Sequence, residues 1–191
     1  RVRWWMATRH GWEVQRDQIF TTHGLVNGTA MCIDAFTRPG DGIVLMTPVY
    51  HAFSRIIKAA DRHVVECPLT NDNGRLTMDF AAWDTQMTGT EKLLILCSPH
   101  NPGGRVWTPE ELRGVADFCV RHDLFLVSDE IHHDLLYPGQ RHTVPGRGRG
   151  ERHALATPTW SAASAASAAL STETAAAPKA AVPSLPKPTH A

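Results

Sequence analysis

Two short apolar runs in this chain each end on a polar residue. Residues 93–107, LLILCSPHNPGGRVW, run from buried-type side chains to Asn101, and residues 124–137, LFLVSDEIHHDLLY, run to Asp129. In an open α/β sheet, ligands sit just outside the carboxyl ends of the strands. An amide and a carboxylate delivered to one such edge outline a site. Each residue also has a plainer use. Asp after a strand often caps the next helix, and Asn before Pro is an ordinary turn former. His132, three residues past Asp129, is either a ligand contact or a satisfied structural histidine; its neighbour His133 is expected to be exposed. A zinc site from His132, His133 and Cys119 has no supporting ligand spacing, so no metal is assigned.

The elements that must position these residues alternate in type. Helical spacing covers residues 2–12, 28–36, 50–60 and 78–87, with Asp79 near the start of the last. Strands are expected at 17–22 (DQIFTT), 43–46, 63–67, 92–97 and 124–128, with a turn at 71–74 where Gly74 suits positive φ. Thr108-Pro109-Glu110-Glu111 places an N-cap hydroxyl, a first-turn proline and a glutamate at N3 ahead of a helix reaching about His122. The strands are continuous apolar runs rather than alternating ones. The fold class is therefore α/β, a mostly parallel sheet with helices on both faces.

Composition narrows the function. The chain has 191 residues, 42% of them hydrophobic, enough for one sizeable core. Its 19 basic and 19 acidic residues balance, so no global field attracts nucleic acid or an anionic membrane. The one basic run, GRGRGER at 146–152, is expected as a solvated loop. No apolar run is long enough to span a membrane. Cys32, Cys67, Cys97 and Cys119 are far apart with no CxxC, and are expected as buried free thiols in a reducing cytoplasm. The N-terminus has no secretory h-region. It also has no initiating Met, from which the chain is expected to begin inside a longer reading frame. Residues 154–191 hold 14 Ala, 10 Ser or Thr and 5 Pro, with Glu173 the one acid and Trp160 the one aromatic. That composition predicts a flexible Ala/Ser/Pro-rich tail, and the abrupt shift suggests a frame change in the coding sequence.

Four motifs together, THGLVNG, TPVYHAF, SPHNPGGRVW and SDEIHHD, resemble the large domain of fold-type I pyridoxal-phosphate enzymes. Within that superfamily they are most similar to the cystathionine β-lyase group of cysteine-S-conjugate β-lyases. The resemblance covers Trp4 to about His142. It implies a partial cofactor-binding large domain at 1–142 and a low-complexity, disordered tail at 143–191. The implied cofactor is pyridoxal 5'-phosphate, an electron sink for a carbanion at the substrate α-carbon. Asp129 then pairs with the pyridine nitrogen, Asn101 donates to the phenolic oxygen, and Tyr50 stacks on the ring. Gly24, Leu25 and Val26 present backbone amides to the phosphate at a helix start. His132 stands where many aminotransferases carry a tyrosine, which favours the lyase group. Gly103 and His23 are mild departures, at positions where the family often has a threonine and a proline.

The resemblance also implies a lysine that holds the cofactor as a Schiff base, a few tens of residues beyond Asp129. The matching window, ALATPTWSAASAASAALSTETAAA, has none. Lys58 and Lys92 match no catalytic position, Lys179 and Lys187 lie in the Pro- and Ala-rich tail, and no catalytic residue is assigned. The family's small C-terminal domain and N-terminal arm are missing as well, so an exposed sheet edge and poor folding in isolation are expected. The implied activity is a C–S β-lyase, releasing thiol, pyruvate and ammonia from cystathionine or an L-cysteine S-conjugate. The alternatives are an aminotransferase of the same fold, a non-catalytic remnant, or a cofactor-sensing regulator domain, for which no DNA-binding segment is present. Expected partners are a small amino-acid substrate and, from the family, a second copy of the chain in a homodimer.

Overall fold

The computed structural model describes residues 1–145 and 154–157. In chain order these form α1 (Val2–His10), a 3-10 turn (Arg16–Gln18), α2 (Leu25–Phe36), β1 (Gly42–Leu45), α3 (Ala52–Ala59) and β2 (His63–Glu66). Next come β3 (Thr70–Asp72), β4 (Arg75–Thr77), α4 (Phe80–Asp84), β5 (Glu91–Cys97), α5 (Pro109–Arg121), β6 (Phe125–Asp129) and β7 (Ala154–Thr157). The main sheet has the order β2-β1-β5-β6-β7, and every pairing in it is parallel. This is the α/β architecture that the apolar runs predict.

Strand β5 shows why those runs do not alternate. Leu93, Ile95 and Cys97 point into a core shared with Cys32 and Ile33 of α2 and with Phe53 and Ile57 of α3. Leu94 and Leu96 point the other way, into a core with Trp83 of α4 and Leu112, Val115 and Phe118 of α5. Both faces are covered, so both parities must be apolar. Each such side chain contributes about 1.5–3 kcal/mol by leaving water. Helix α5 starts as its sequence dictates: Thr108 Oγ1 accepts from the Glu111 N–H at 3.2 Å, and the Glu111 carboxylate accepts from the Thr108 N–H at 2.7 Å.

Three expectations change, and a fourth, the turn at 71–74, is met and extended. DQIFTT is not a strand: Arg16–Gln18 forms a 3-10 turn closed by a reciprocal Gln15–Gln18 cap. Its β-prone residues find no neighbouring strand to satisfy their backbone groups. Helix α2 starts at Leu25 rather than 28, with Gly24 as N-cap at φ 79°. Helix α4 is shorter than 78–87 and is capped by Asp79, which accepts from the Ala82 N–H at 3.0 Å. The turn at 71–74 closes an antiparallel hairpin, β3 against β4.

The tail expected from residue 143 lies mostly outside the described residues, as does the basic run at 146–152. Its segment Ala154–Thr157, however, pairs with β6 from Leu126↔Ala154 to Asp129↔Thr157. A short apolar run there meets the backbone donors and acceptors that β6 would otherwise leave open. The four cysteines are free and buried. Among the described residues no helix is long and apolar enough to cross a membrane.

Candidate active site

The loops beyond the carboxyl ends of β1, β5 and β6 and the first turn of α2 meet at one cleft. Leu25, Val26, Tyr50, Cys97, Asn101, Asp129, Ile131 and His132 line it, around a volume of about 280 Å³. That is close to the lower end of the roughly 300–1,000 Å³ typical of small-molecule sites. Six of the seven residues singled out from the sequence are thus brought together; the seventh, Gly24, is the N-cap of α2 directly before Leu25.

Asp129 is the last residue of β6 and faces Cys97 across the sheet register. It is buried, and its Oδ1 accepts from the Ile131 N–H at 3.1 Å. Burial pushes its carboxyl up from 3.8 to about 6, against the pull of the Ile131 amide and of His132. Among the described residues no helix follows Asp129 for it to cap; it holds one amide of a turn, two residues on. A single N–H leaves most of the cost of enclosing a carboxylate uncompensated.

Asn101 is placed by its own backbone, whose N–H donates to Cys97 Sγ at 3.3 Å. Beside it, buried His100 directs Nε2 to the Pro48 carbonyl at 2.8 Å. Burial lowers the His100 pKa, and Nε2, which faces a carbonyl, is the donor. This bond links the loop after β1, which carries Tyr50, to the loop after β5, which carries Asn101. The Tyr50 ring is half-buried and packs at a right angle to Phe53, 5.7 Å between centroids. Gly103 is more than a permissive variant. A Cβ there would stand 2.5 Å from Leu76 Cδ1 and 2.9 Å from His100 Cδ2, so a side chain would require the Leu76 side chain and the His100 ring to shift.

The first turn of α2 begins with the Gly28 N–H bonding the Gly24 carbonyl at 3.2 Å. The amides of Leu25, Val26 and Asn27 have no acceptor within the helix, the usual state of a helix start. With the partial positive charge of that end, they suit an anion.

His132 is half-buried on the cleft. His133, expected to be exposed, is buried, with Nδ1 2.6 Å from the Glu130 carbonyl. It turns away from solvent because β6 ends at Asp129 and the following turn folds back beneath α1, where His10 packs against it edge-on at 4.5 Å. Cys119 is enclosed in the core around α5, among a different set of neighbours. Sequence reasoning passed over Cys97 and Ile131 as wall residues, and His100. The signal for Cys97 was its place as the last residue of the strand before SPHNP.

Neither described lysine reaches the cleft edge. Lys58 is exposed on α3, and Lys92 donates to the Gly89 carbonyl at 3.0 Å at the amino end of β5. Five residues of strand, about 16 Å at 3.3 Å each, separate Lys92 from Cys97.

A covered parallel sheet with a carboxylate, an amide, an aromatic ring and a helix start beyond its carboxyl edge is the architecture of fold-type I pyridoxal-phosphate enzymes. The family model for class I and II aminotransferases matches residues 2–173, and the chain belongs to that family, whose members depend on pyridoxal 5'-phosphate. Cystathionine β-lyase PatB of Bacillus subtilis (strain 168) is 40% identical over 140 residues, 73% of this chain and 36% of PatB. Kynurenine–oxoglutarate transaminase 3 of Rattus norvegicus is 31% identical over 142 residues, 68% of this chain and 31% of that protein. The crystal structure of cystalysin from Treponema denticola, which contains a pyridoxal 5'-phosphate cofactor, superposes with a TM-score of 0.72 at 44% identity. It covers 75% of this chain and 36% of cystalysin. The chain spans about a third of the length of the curated relatives it matches.

Proposed function

We propose that this chain forms the cofactor-holding part of a carbon–sulfur β-lyase, one that acts on cystathionine or another L-cysteine S-conjugate to give thiol, pyruvate and ammonia. The observation that carries this reading is the shared cleft of Asp129, Asn101, Tyr50, His132 and the start of α2. The residues fit pyridoxal 5'-phosphate because Asp129 is enclosed with one N–H for company, the state of a carboxylate built to meet a cation.

When bound, the cofactor would draw electrons from the substrate α-carbon and so ease departure of the β-thiolate. The chain's own residues hold and orient. Asp129 would keep a proton on the pyridine nitrogen. The Asn101 amide would donate to the phenolic oxygen. Tyr50 would cover one ring face and exclude water, and the amides of Leu25 and Val26 would receive the phosphate. His132 would also donate to the phenolic oxygen; among the described residues its ring has no protein hydrogen bond to compete. The lyase branch is further supported by likeness to PatB and cystalysin. A second copy of the chain is the proposed partner, and four buried thiols suit a reducing cytoplasm.

No lysine stands in the matching window of this sequence, and this favours a second reading of the chain by itself: a non-catalytic remnant that keeps the cofactor site. Titration of the full chain with pyridoxal 5'-phosphate, followed by absorbance and protein fluorescence, tests the shared claim. Saturable binding that weakens in Asp129→Ala supports it; no binding, or binding indifferent to Asp129, rejects it. Pyruvate release from cystathionine then separates lyase from remnant. Amino-group exchange with an oxoacid would indicate the aminotransferase alternative.

A further inference from the structure

A second cluster of chemically capable side chains lies where α1 meets the turn after β6. His10 is the last residue of α1, which Gly11 ends in the left-handed conformation. His133 and Asp134 come from the far end of the described chain. Three observations make this more than a packed pair. His10 Nε2 lies 3.0 Å from Asp134 Oδ1, and His133 Nε2 lies 3.4 Å from Asp134 Oδ2. The candidate donor atoms of all three residues fall within 4.8 Å of one another. The Nδ1 of His133 meets the Glu130 carbonyl at 2.6 Å. A carbonyl only accepts, so Nδ1 carries a proton there, and Nε2 is the ring nitrogen that faces the Asp134 carboxylate.

We propose that His10, His133 and Asp134 form a divalent metal site, with Zn²⁺ the best-suited ion, that fastens α1 to the segment following Asp129. Imidazole nitrogens and a carboxylate oxygen are a donor set for zinc. Zinc bonds of about 2.0–2.2 Å in a tetrahedron set neighbouring donors about 3.3 Å apart. His10 Nε2 stands 3.0 Å from one Asp134 oxygen and His133 Nε2 stands 3.4 Å from the other. With one donor atom taken from each residue, every separation is at most 4.8 Å, and zinc would draw them in toward that edge. The His133 Nδ1–carbonyl bond is the outer contact that fixes the tautomer and orientation of zinc-binding histidines. On the other side, Trp5 Nε1 donates to Asp134 Oδ2 at 2.8 Å and holds the carboxylate in place. A cleft of about 200 Å³ opens beside the cluster and gives room for a water as fourth ligand. His142 stands close, its ring 5.7 Å from that of His10, but its Nε2 is engaged with Glu130. Arg9 and Arg141 also line the cleft. Their charge makes the site weaker than a thiolate cage, and Arg9 is drawn over the Trp5 ring at 4.8 Å. Nothing in this inference depends on the cofactor reading.

The test uses the full chain, stripped with chelator and free of pyridoxal phosphate, which itself binds metals. Titration with zinc chloride by calorimetry should give one equivalent. Cobalt chloride should give the intense visible bands of a tetrahedral ion. His133→Ala and Asp134→Asn should each weaken zinc binding by at least about tenfold, while His63→Ala, at an exposed histidine of β2, should leave it unchanged. Less than one equivalent in the wild-type chain overturns the proposal, and so does equal binding in both cluster variants. Should His133→Ala fail to fold by circular dichroism, the near-isosteric Asp134→Asn decides the outcome by itself.

Discussion

Asp129 and Glu130 are consecutive carboxyls at the end of one strand, and the structure treats them in opposite ways. Asp129 lines an open cleft, with one backbone N–H as its described partner. Glu130 is fully enclosed, and its Oε2 lies 2.7 Å from His142 Nε2. Burial pushes the Glu130 carboxyl well above its ordinary range, against the pull of Ser128 and His133. The same enclosure pushes His142 down to about 4. Glu130 thus has a side-chain partner that the chain itself supplies. The cleft side is left incomplete. The difference separates a place built to hold the chain together from a place built to receive something.

The largest expected effect breaks the cleft side. Asp129→Asn should weaken pyridoxal-phosphate binding roughly 10- to 100-fold, the worth of a charge-assisted hydrogen bond, read by fluorescence titration. The same substitution should stabilise the cofactor-free chain. With the folded pKa near 6 against 3.8, the unfolded chain loses its proton first, so wild-type stability falls as pH rises through that window. At pH 7 the Asp129→Asn chain should gain on the order of 2 kcal/mol over wild type. Below about pH 4 the gain should vanish; urea unfolding at both pH values measures this. A destabilised Asp129→Asn chain at pH 7 would mean the carboxylate is not the uncompensated group described.

A test of similar size strikes the other side. His142→Ala leaves Glu130 enclosed without its partner and should cost about 2 kcal/mol of stability. Cofactor affinity should change by less than about twofold; a parallel loss would show that the two regions are coupled. Smaller still, Tyr50→Ala should weaken cofactor binding about tenfold, while Tyr50→Phe, which keeps the aromatic face, should not. The smallest effect is expected for His132→Gln, a change of about two- to fivefold in affinity with a shifted absorbance maximum of the bound cofactor.

What could be read from the sequence follows the range of the forces involved. The capping box of α5 is local, and Thr108 and Glu111 sit where their spacing puts them. The apolar runs of β1, β5 and β6 mark covered strands, and the polar residues at or beyond their ends mark the cleft. DQIFTT misled because β-prone residues make a strand only beside a partner. The β3–β4 hairpin was hidden because its residues are exposed or half-buried and mostly polar, with no alternation to betray a buried face. The meeting of His10 with His133 and Asp134 spans 123 and 124 positions of chain, and no local pattern encodes it. The burial of His133 escaped notice for the same reason, since the helix that covers it comes from the other end.

The bond from His100 to the Pro48 carbonyl has a mechanical consequence. It ties two walls of the cleft together, so that parting the tyrosine-bearing strand exit from the asparagine-bearing one must break it. The width offered to a flat ring is therefore gauged by a histidine not among the residues that line the cleft.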